Sequence, residues 1–291
     1  MASAMSRRRH IFALVLTLSL WGRSPTLAAD LKIATWNLNW LTSRQADLPA
    51  DVVIRVQEDF DRLRAYALEL NADVIAIQEV DNAETARRVF PPDIWSIHMT
   101  RDRVRQRVGI AIRRGLRYDI NPDLVALALD PVARLRSGVD VTLHLPGGPL
   151  RILAVHLKQG CQYLPYGKKP NLTCLTLMAQ FDIVAQWIAA RRDEKIPFLF
   201  LGDLNRGMDK KRDPFAAKLM PLTRVTTGYS SPCWNEHDAF IDHIMAGGGA
   251  EAWIKPGTLK VLTYRETDPA WKRRLSDHCP VSVRLTAPDS P

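Results

Sequence analysis

Cysteine is scarce and never closely spaced. The four present, Cys161, Cys174, Cys233 and Cys279, include no neighbouring pair, which argues against a zinc site built on adjacent thiolates. An even set of this size instead suits disulfides in an oxidising compartment. Three pairings are open. Joining Cys161 to Cys174 would staple a loop rich in Pro, Gly, Tyr and Lys, leaving Cys233 with Cys279. Long apolar runs are missing too. The run 11–21 has 11 residues, well short of the roughly 20 needed to cross a bilayer, and no later run is expected to span one. There is no internal repeat, low-complexity tract or Ser/Gly-rich linker, so a single domain is expected over residues 29–291.

What is present begins at the N-terminus. Arg7, Arg8 and Arg9 precede the apolar run, and Ala28 and Ala29 follow it, the order of a secretory signal peptide covering residues 1–28. The expectation is a secreted or periplasmic monomer with no stable membrane anchor. Loss of that segment removes Arg7, Arg8, Arg9, Arg23 and no acid, taking the formal charge from +9 to +5. A moderately basic chain suits a polyanionic partner, either nucleic acid or an anionic lipid surface.

Short β-branched and apolar runs at 31–36, 74–77, 108–112, 139–145, 150–155, 198–201 and 281–285 have strand length and end in turn or polar signals. Between them, Val52, Val53, Val56, Phe60, Leu63, Ala67 and Leu70 keep helical spacing, as do Leu175, Met178, Phe181, Val184, Trp187 and Ile188. Pro146-Gly147-Gly148-Pro149 reads as a hairpin turn, making part of the sheet antiparallel. The expected architecture is an α/β sandwich with mixed sheets and helices outside.

The chemistry collects after the strands. Asn37 and Asn39 follow the first run, Gln78 and Glu79 the second, His156 the fifth, and Asp203 and Asn205 the sixth; Asp242-His243 and Ser276-Asp277-His278 come later. Carboxylates emerging beside an apolar core lose solvation unless a cation or hydrogen bonds compensate, and a hard divalent metal would do so.

This ordered set, Thr35-Trp36-Asn37-Leu38-Asn39, Ile77-Gln78-Glu79, Val155-His156, Leu201-Gly202-Asp203-Leu204-Asn205, Ile241-Asp242-His243 and Ser276-Asp277-His278, resembles the endonuclease/exonuclease/phosphatase superfamily. The resemblance spans nearly all of the chain after residue 28. It implies a four-layer α/β/β/α sandwich of two mixed sheets packed face to face, and magnesium-assisted phosphoester hydrolysis, with Mn2+ or Ca2+ as alternative ions. It makes Glu79 the main metal ligand, with Asn37 and Asp277 assisting. His278 becomes the group that activates water, its ring held by Asp242. Asp203 and Asn205 position the water or the phosphate, and His156 donates to the phosphate. A histidine at this position is found in the deoxyribonucleases and sphingomyelinases of the superfamily, whereas Asn39 departs from the acid of its abasic-site enzymes.

The expected function is therefore an exported, metal-dependent nuclease. A phosphatase or phospholipid phosphodiesterase on the same chemistry is the alternative, and a non-catalytic binding module the third reading. Gln78 is expected to brace the surroundings of Asn37. The basic run Arg101, Arg103, Arg105, Arg107, Arg113 and Arg114 flanks a strand expected near the site; it and Lys158, Lys168 and Lys169 would either track a phosphate backbone or form a solvated face. Tyr163 and Tyr166 would stack on bases or simply pack.

Overall fold

The computed structural model describes residues 30–289 except 46–47, 51, 130–133, 165, 168–169 and 211, so the expected signal peptide, Lys168 and Lys169 lie outside the described residues. In order the chain forms β1 (Asp30–Leu41), α1 (Gln57–Leu70), β2 (Val74–Val80), α2 (Ala83–Val89), β3 (Trp95–Met99), β4 (Arg107–Arg113), β5 (Tyr118–Ile120), β6 (Val139–Leu145), β7 (Gly148–His156), α3 (Leu172–Asp193), β8 (Phe198–Asp203), α4 (Pro214–Lys218), β9 (Thr223–Arg224), β10 (Ser230–Ser231), β11 (Asp238–Ala239), β12 (Asp242–Gly247), β13 (Lys260–Val261), α5 (Ala270–Arg274) and β14 (Val281–Thr286).

Two six-stranded sheets carry the fold, ordered β13-β14-β1-β2-β4-β3 and β5-β6-β7-β8-β12-β9. Each holds one parallel pair, β1 with β2 and β7 with β8, among antiparallel neighbours. Successive strand side chains face opposite ways, and this alternation sorts the apolar residues into three cores. Ile33, Val74, Ile110, Val141, Ile152, Leu201 and Ile244 fill the space between the sheets. Ala34, Trp36, Ile75 and Ile77 face outward onto Phe60 and Leu63 of α1. Leu153, Val155 and Phe200 face the other way onto Leu177, Phe181 and Val184 of α3 and Phe215 of α4. Each fully buried Leu, Ile or Phe contributes roughly 1.5–3 kcal/mol. The result is the expected four-layer sandwich.

Several boundaries differ from the sequence reading. The helix expected from residue 52 begins at Gln57, because the Val56 amide donates to Asp59 Oδ2 at 2.9 Å and so closes the helix end. The segment before it is extended. There buried Arg55 turns inward and donates to the carbonyls of Val53, Asn39 and Leu275. α3 starts earlier than expected, capped by Asn171, whose side chain accepts from the Cys174 amide at 2.8 Å. At 22 residues α3 is also long and apolar enough to cross a membrane by length and composition, against the expectation that no later segment would be. Its buried face packs on the second sheet, and Gln180 within it is fully buried, with its amide bonded to Leu127 O and Lys158 N.

The hairpin is as expected, Leu145 pairing with Gly148 across a two-residue turn. Disulfides join Cys161 to Cys174 and Cys233 to Cys279.

Candidate active site

The alternation that builds the central core also delivers the site. On β1 the inward series Ile33, Thr35 ends at Asn37; on β7 Ile152, Ala154 ends at His156; on β8 Leu199, Leu201 ends at Asp203. Parallel pairing brings these ends to one edge. Asn37 stands opposite Gln78, and Asp203 stands between His156 on one side and Asp242, at the start of β12, on the other.

Glu79 reaches the same place by a different route. Simple alternation would send it outward with Ile75 and Ile77, but its φ is +61° and the ladder to β4 shifts between Ile77 and Val80. A left-handed residue of this type costs about 1–2 kcal/mol, here offset by two hydrogen bonds to its carboxylate. Asn37 Nδ2 donates to Oε1 at 3.2 Å and the Trp40 amide to Oε2 at 3.0 Å. Asn37 Nδ2 also lies 3.0 Å from Asp203 Oδ2, so one amide links the two carboxylates, while its own oxygen accepts from the Asn39 amide. Gln78 bonds to Thr35 Oγ1, two residues before Asn37 on the same face.

Asp203 and His278 form the centre. Asp242 Oδ2 accepts from His278 Nδ1 at 2.7 Å, and the other ring nitrogen lies 3.9 Å from Asp203 Oδ2. Burial alone would lower the ring's pKa; the charges of Asp242, Asp203 and Asp277 reverse this and hold it well above the usual histidine range. Burial, reinforced by Asp242, pushes Asp203 up to about 7 despite His278, Asn37 and the Asn205 amide. Both donors of Asn205 Nδ2 are used, on Asp203 Oδ2 and Leu157 O, and its oxygen accepts from Gln162. Its amide therefore braces Asp203 in this structure.

His278 is fixed from outside as well. Ser276 Oγ donates to Asn37 O and accepts from the His278 amide, and the chain Trp36 Nε1 to Tyr264 Oη to His278 O ties the loop to the outer core. Asp277 is exposed on the cleft beside this dyad.

Arg136 was not anticipated. Buried in the site, it stands 2.9 Å from His156 Nε2. A guanidinium can only donate, so this nitrogen accepts and the ring proton belongs on Nδ1, which has no partner. Burial, then Arg136 and His278, drive His156 well below the usual histidine range. It is a neutral ring 3.6 Å from Glu79 and 3.5 Å from Asp203, and its Nε2 accepts from Arg136.

The basic run divides. Arg101 to Arg107 lie at the site end of β4, with Arg105 against Asp81, whereas Arg113 pairs with Asp73 at the far end and Arg114 follows it there. Tyr166 packs on Phe215, while Tyr163 is exposed on the cleft.

The donor set suits a hard divalent cation. Glu79, Asp203, Asp242 and Asp277 gather here beside Arg136 and His278; Asp242 Oδ1 is buried without a partner; and one oxygen or nitrogen of Asp203, Asp242 and His278 each lie within 4.8 Å of one another. Oxygen ligands of this kind suit magnesium, which needs only one or two carboxylates beside its waters.

A double mixed sheet with outer helices and a carboxylate-histidine cluster at one sheet edge defines a class of sandwich phosphoesterase folds. The family model described as Endonuclease/Exonuclease/phosphatase family matches residues 34–278, and the chain belongs to that family. Its members are phosphoester hydrolases, typically dependent on a divalent metal. Among solved structures, TDP2 from D. rerio complexed with single strand DNA product is similar over 89% of this chain and 99% of that one, at 17% identity and a TM-score of 0.62. Truncated Caenorhabditis elegans TDP2 matches over 89% and 98%, with 14% identity and a TM-score of 0.61. The human Nocturnin catalytic domain with bound sulfate matches over 88% and 94%, with 15% identity and a TM-score of 0.55. No curated protein sequence matches the chain. At these identities the structural likeness speaks for the fold.

Proposed function

We propose that the chain is an exported, divalent-metal-dependent phosphodiesterase whose substrate is nucleic acid. The observation that carries the reading is the position of Asp203, braced by Asn37 and Asn205 and 3.9 Å from a histidine held by Asp242. Glu79 and Asn37, with Asp277 at the rim, would hold the cation, which when bound supplies charge for the phosphate oxygens. A water between Asp203 Oδ2 and His278 Nε2 can bond to both. Asp203, raised towards neutrality, accepts its proton as it attacks phosphorus, a role the sequence resemblance gives to His278, whose ring is already protonated beside Asp242. Protonated His278 and Arg136 stabilise the charge that gathers on the non-bridging oxygens.

Nucleic acid is supported by the excess of basic residues and by the exposed Arg101 and Arg103 at the site end of the first sheet. Export is supported by the N-terminal pattern and the two disulfides. The test is hydrolysis of plasmid and oligonucleotide DNA by the purified chain with magnesium, with and without chelator, beside Glu79→Gln. Loss of cutting in both controls is expected; cutting that survives Glu79→Gln removes the mechanism.

One observation favours a lipid phosphodiesterase as second reading. Tyr163, Leu164, Leu172 and Leu175 are all exposed around the Cys161–Cys174 staple. Release of phosphocholine from vesicles, with DNA left whole, would select it.

A further inference from the structure

The segment that follows β7 is held, carbonyl by carbonyl, by the loop that follows β8. Arg206 donates to Cys161 O and Leu164 O, the Gly207 amide to Gln162 O at 3.0 Å, and Lys210 Nζ to Tyr163 O. Arg206 is itself buried and bound to Asp213. The two loops approach closely because Gly207 has no side chain: a Cβ there would sit 2.7 Å from the Tyr163 ring. Gln162 is thus presented to Asn205 by a rigid frame.

The contact between them has a direction. An amide side chain accepts at its oxygen and donates at its nitrogen, so its two ends are not interchangeable. The Gly160 amide, a backbone donor, lies 3.1 Å from Gln162 Oε1, which turns Gln162 Nε2 towards Asn205 Oδ1 at 3.2 Å. Beyond it Leu157 O, a backbone acceptor, takes Asn205 Nδ2 at 3.2 Å, and Asp203 Oδ2 takes the same nitrogen at 3.1 Å. Backbone groups of fixed character therefore stand at both ends of the chain that runs from Gly160 through Gln162 and Asn205 to Leu157. Turning either amide over would set oxygen against oxygen.

Asp203 depends on the outcome. Its Oδ1 accepts from the Asn205 main chain at 2.8 Å, and its Oδ2, the atom that faces Asn37 and His278, accepts from the Asn205 side chain. With Asn205 turned over, an amide oxygen would face Oδ2, and the buried carboxylate would lose a donor and gain a repulsion. It would then be free to swing away from the water it shares with His278.

We propose that Gln162 is a positioning residue for hydrolysis, selecting the orientation of the Asn205 amide that holds Asp203 in place. This rests on the phosphodiesterase reading above and makes the Cys161–Cys174 loop part of that machinery.

The experiment compares Gln162→Met, which keeps the length and removes the donor, with Gln162→Glu, which keeps the shape and presents only acceptors to Asn205. Rates are read in magnesium on DNA and on a bis-nitrophenyl phosphodiester, with melting curves on the same samples. Gln162→Glu is expected to lower kcat by about 10–100-fold and Gln162→Met by only a few-fold, with KM and Tm near the wild-type values in both. Beside Asn205→Ala neither substitution should slow the enzyme further, because the group they act through is gone. Gln162→Met as slow as Gln162→Glu, or both as fast as wild type, would mean that Gln162 fills space only. A Gln162→Glu loss that persists beside Asn205→Ala would mean that its charge acts directly. Each of these overturns the proposal and leaves the phosphodiesterase reading standing, whereas wild-type protein that hydrolyses neither substrate overturns both.

Discussion

At the residue scale, Asp203 carries the clearest conflict between function and stability. Its folded-state pKa is raised to about 7 from 3.8, so the unfolded chain ionises more readily. The group is tolerated below pH 3.8, and its burial costs stability progressively as the pH rises from there towards 7. Asp203→Asn removes that cost and also the proton acceptor. The metal-free variant is expected to melt no lower than wild type at pH 8, with kcat down about 10²–10⁴-fold. Initial rates and thermal melts on the same samples check both. A variant that keeps its rate would shift the acceptor role to His278. His243 shows the opposite sense: buried between Thr226 Oγ1 and Arg206 O, it is depressed to about 4. A neutral ring in the fold and a protonated one in the unfolded chain place its full stability above pH 6.5, lost as the pH falls through 6.5 to about 4. The span is worth about 3 kcal/mol. Urea midpoints at pH 7, 5.5 and 4.5 should fall less steeply in His243→Gln than in wild type; parallel slopes would refute the linkage.

At the element scale, β7 and β8 fix the relation of His156 to Asp203, and their contact depends on Gly202. A Cβ there would sit 2.0 Å from Val155 O, a backbone atom that cannot move without breaking the parallel ladder. Gly202→Ala is expected to cost about 3 kcal/mol and lower Tm by roughly 10 °C, with activity falling further than stability because Asp203 is the next residue. The same elements explain what could be read from sequence. Asn37, His156 and Asp203 were legible because β1, β7 and β8 all end at one edge, so a polar residue after an apolar run marks the site. Arg136 was not, because it precedes β6, an antiparallel neighbour that begins where the others end. Asp242 likewise opens β12 and was found through its motif alone. Nothing in the local pattern announced the left-handed turn at Glu79, which alternation alone would point outward. The reading of Arg113 and Arg114 as neighbours of the site failed for a related reason: β4 is long enough to carry its two ends to opposite edges of the sheet.

For the whole molecule, three apolar cores stabilise the layers, but the loops that complete the site are held by covalent staples. Cys279 follows His278 directly and is bonded to Cys233 across 46 residues of chain, while the Cys161–Cys174 bond closes a separation of 13 and holds the loop whose Gln162 braces Asn205. Chain-entropy arguments assign about 4 kcal/mol to the longer closure and about 3 kcal/mol to the shorter, a difference too small to separate the two by stability alone. Their positions do separate them. Cys233→Ser/Cys279→Ser loosens the loop that sets the 2.7 Å contact of His278 with Asp242, whereas Cys161→Ser/Cys174→Ser acts two hydrogen bonds away from Asp203. Measured well below either melting temperature, the first double variant should lose most of its hydrolytic rate and the second only a part, despite similar urea midpoints. Equal rates in the two would mean that Ser276, Tyr264 and Asp242 hold His278 without help from the disulfide.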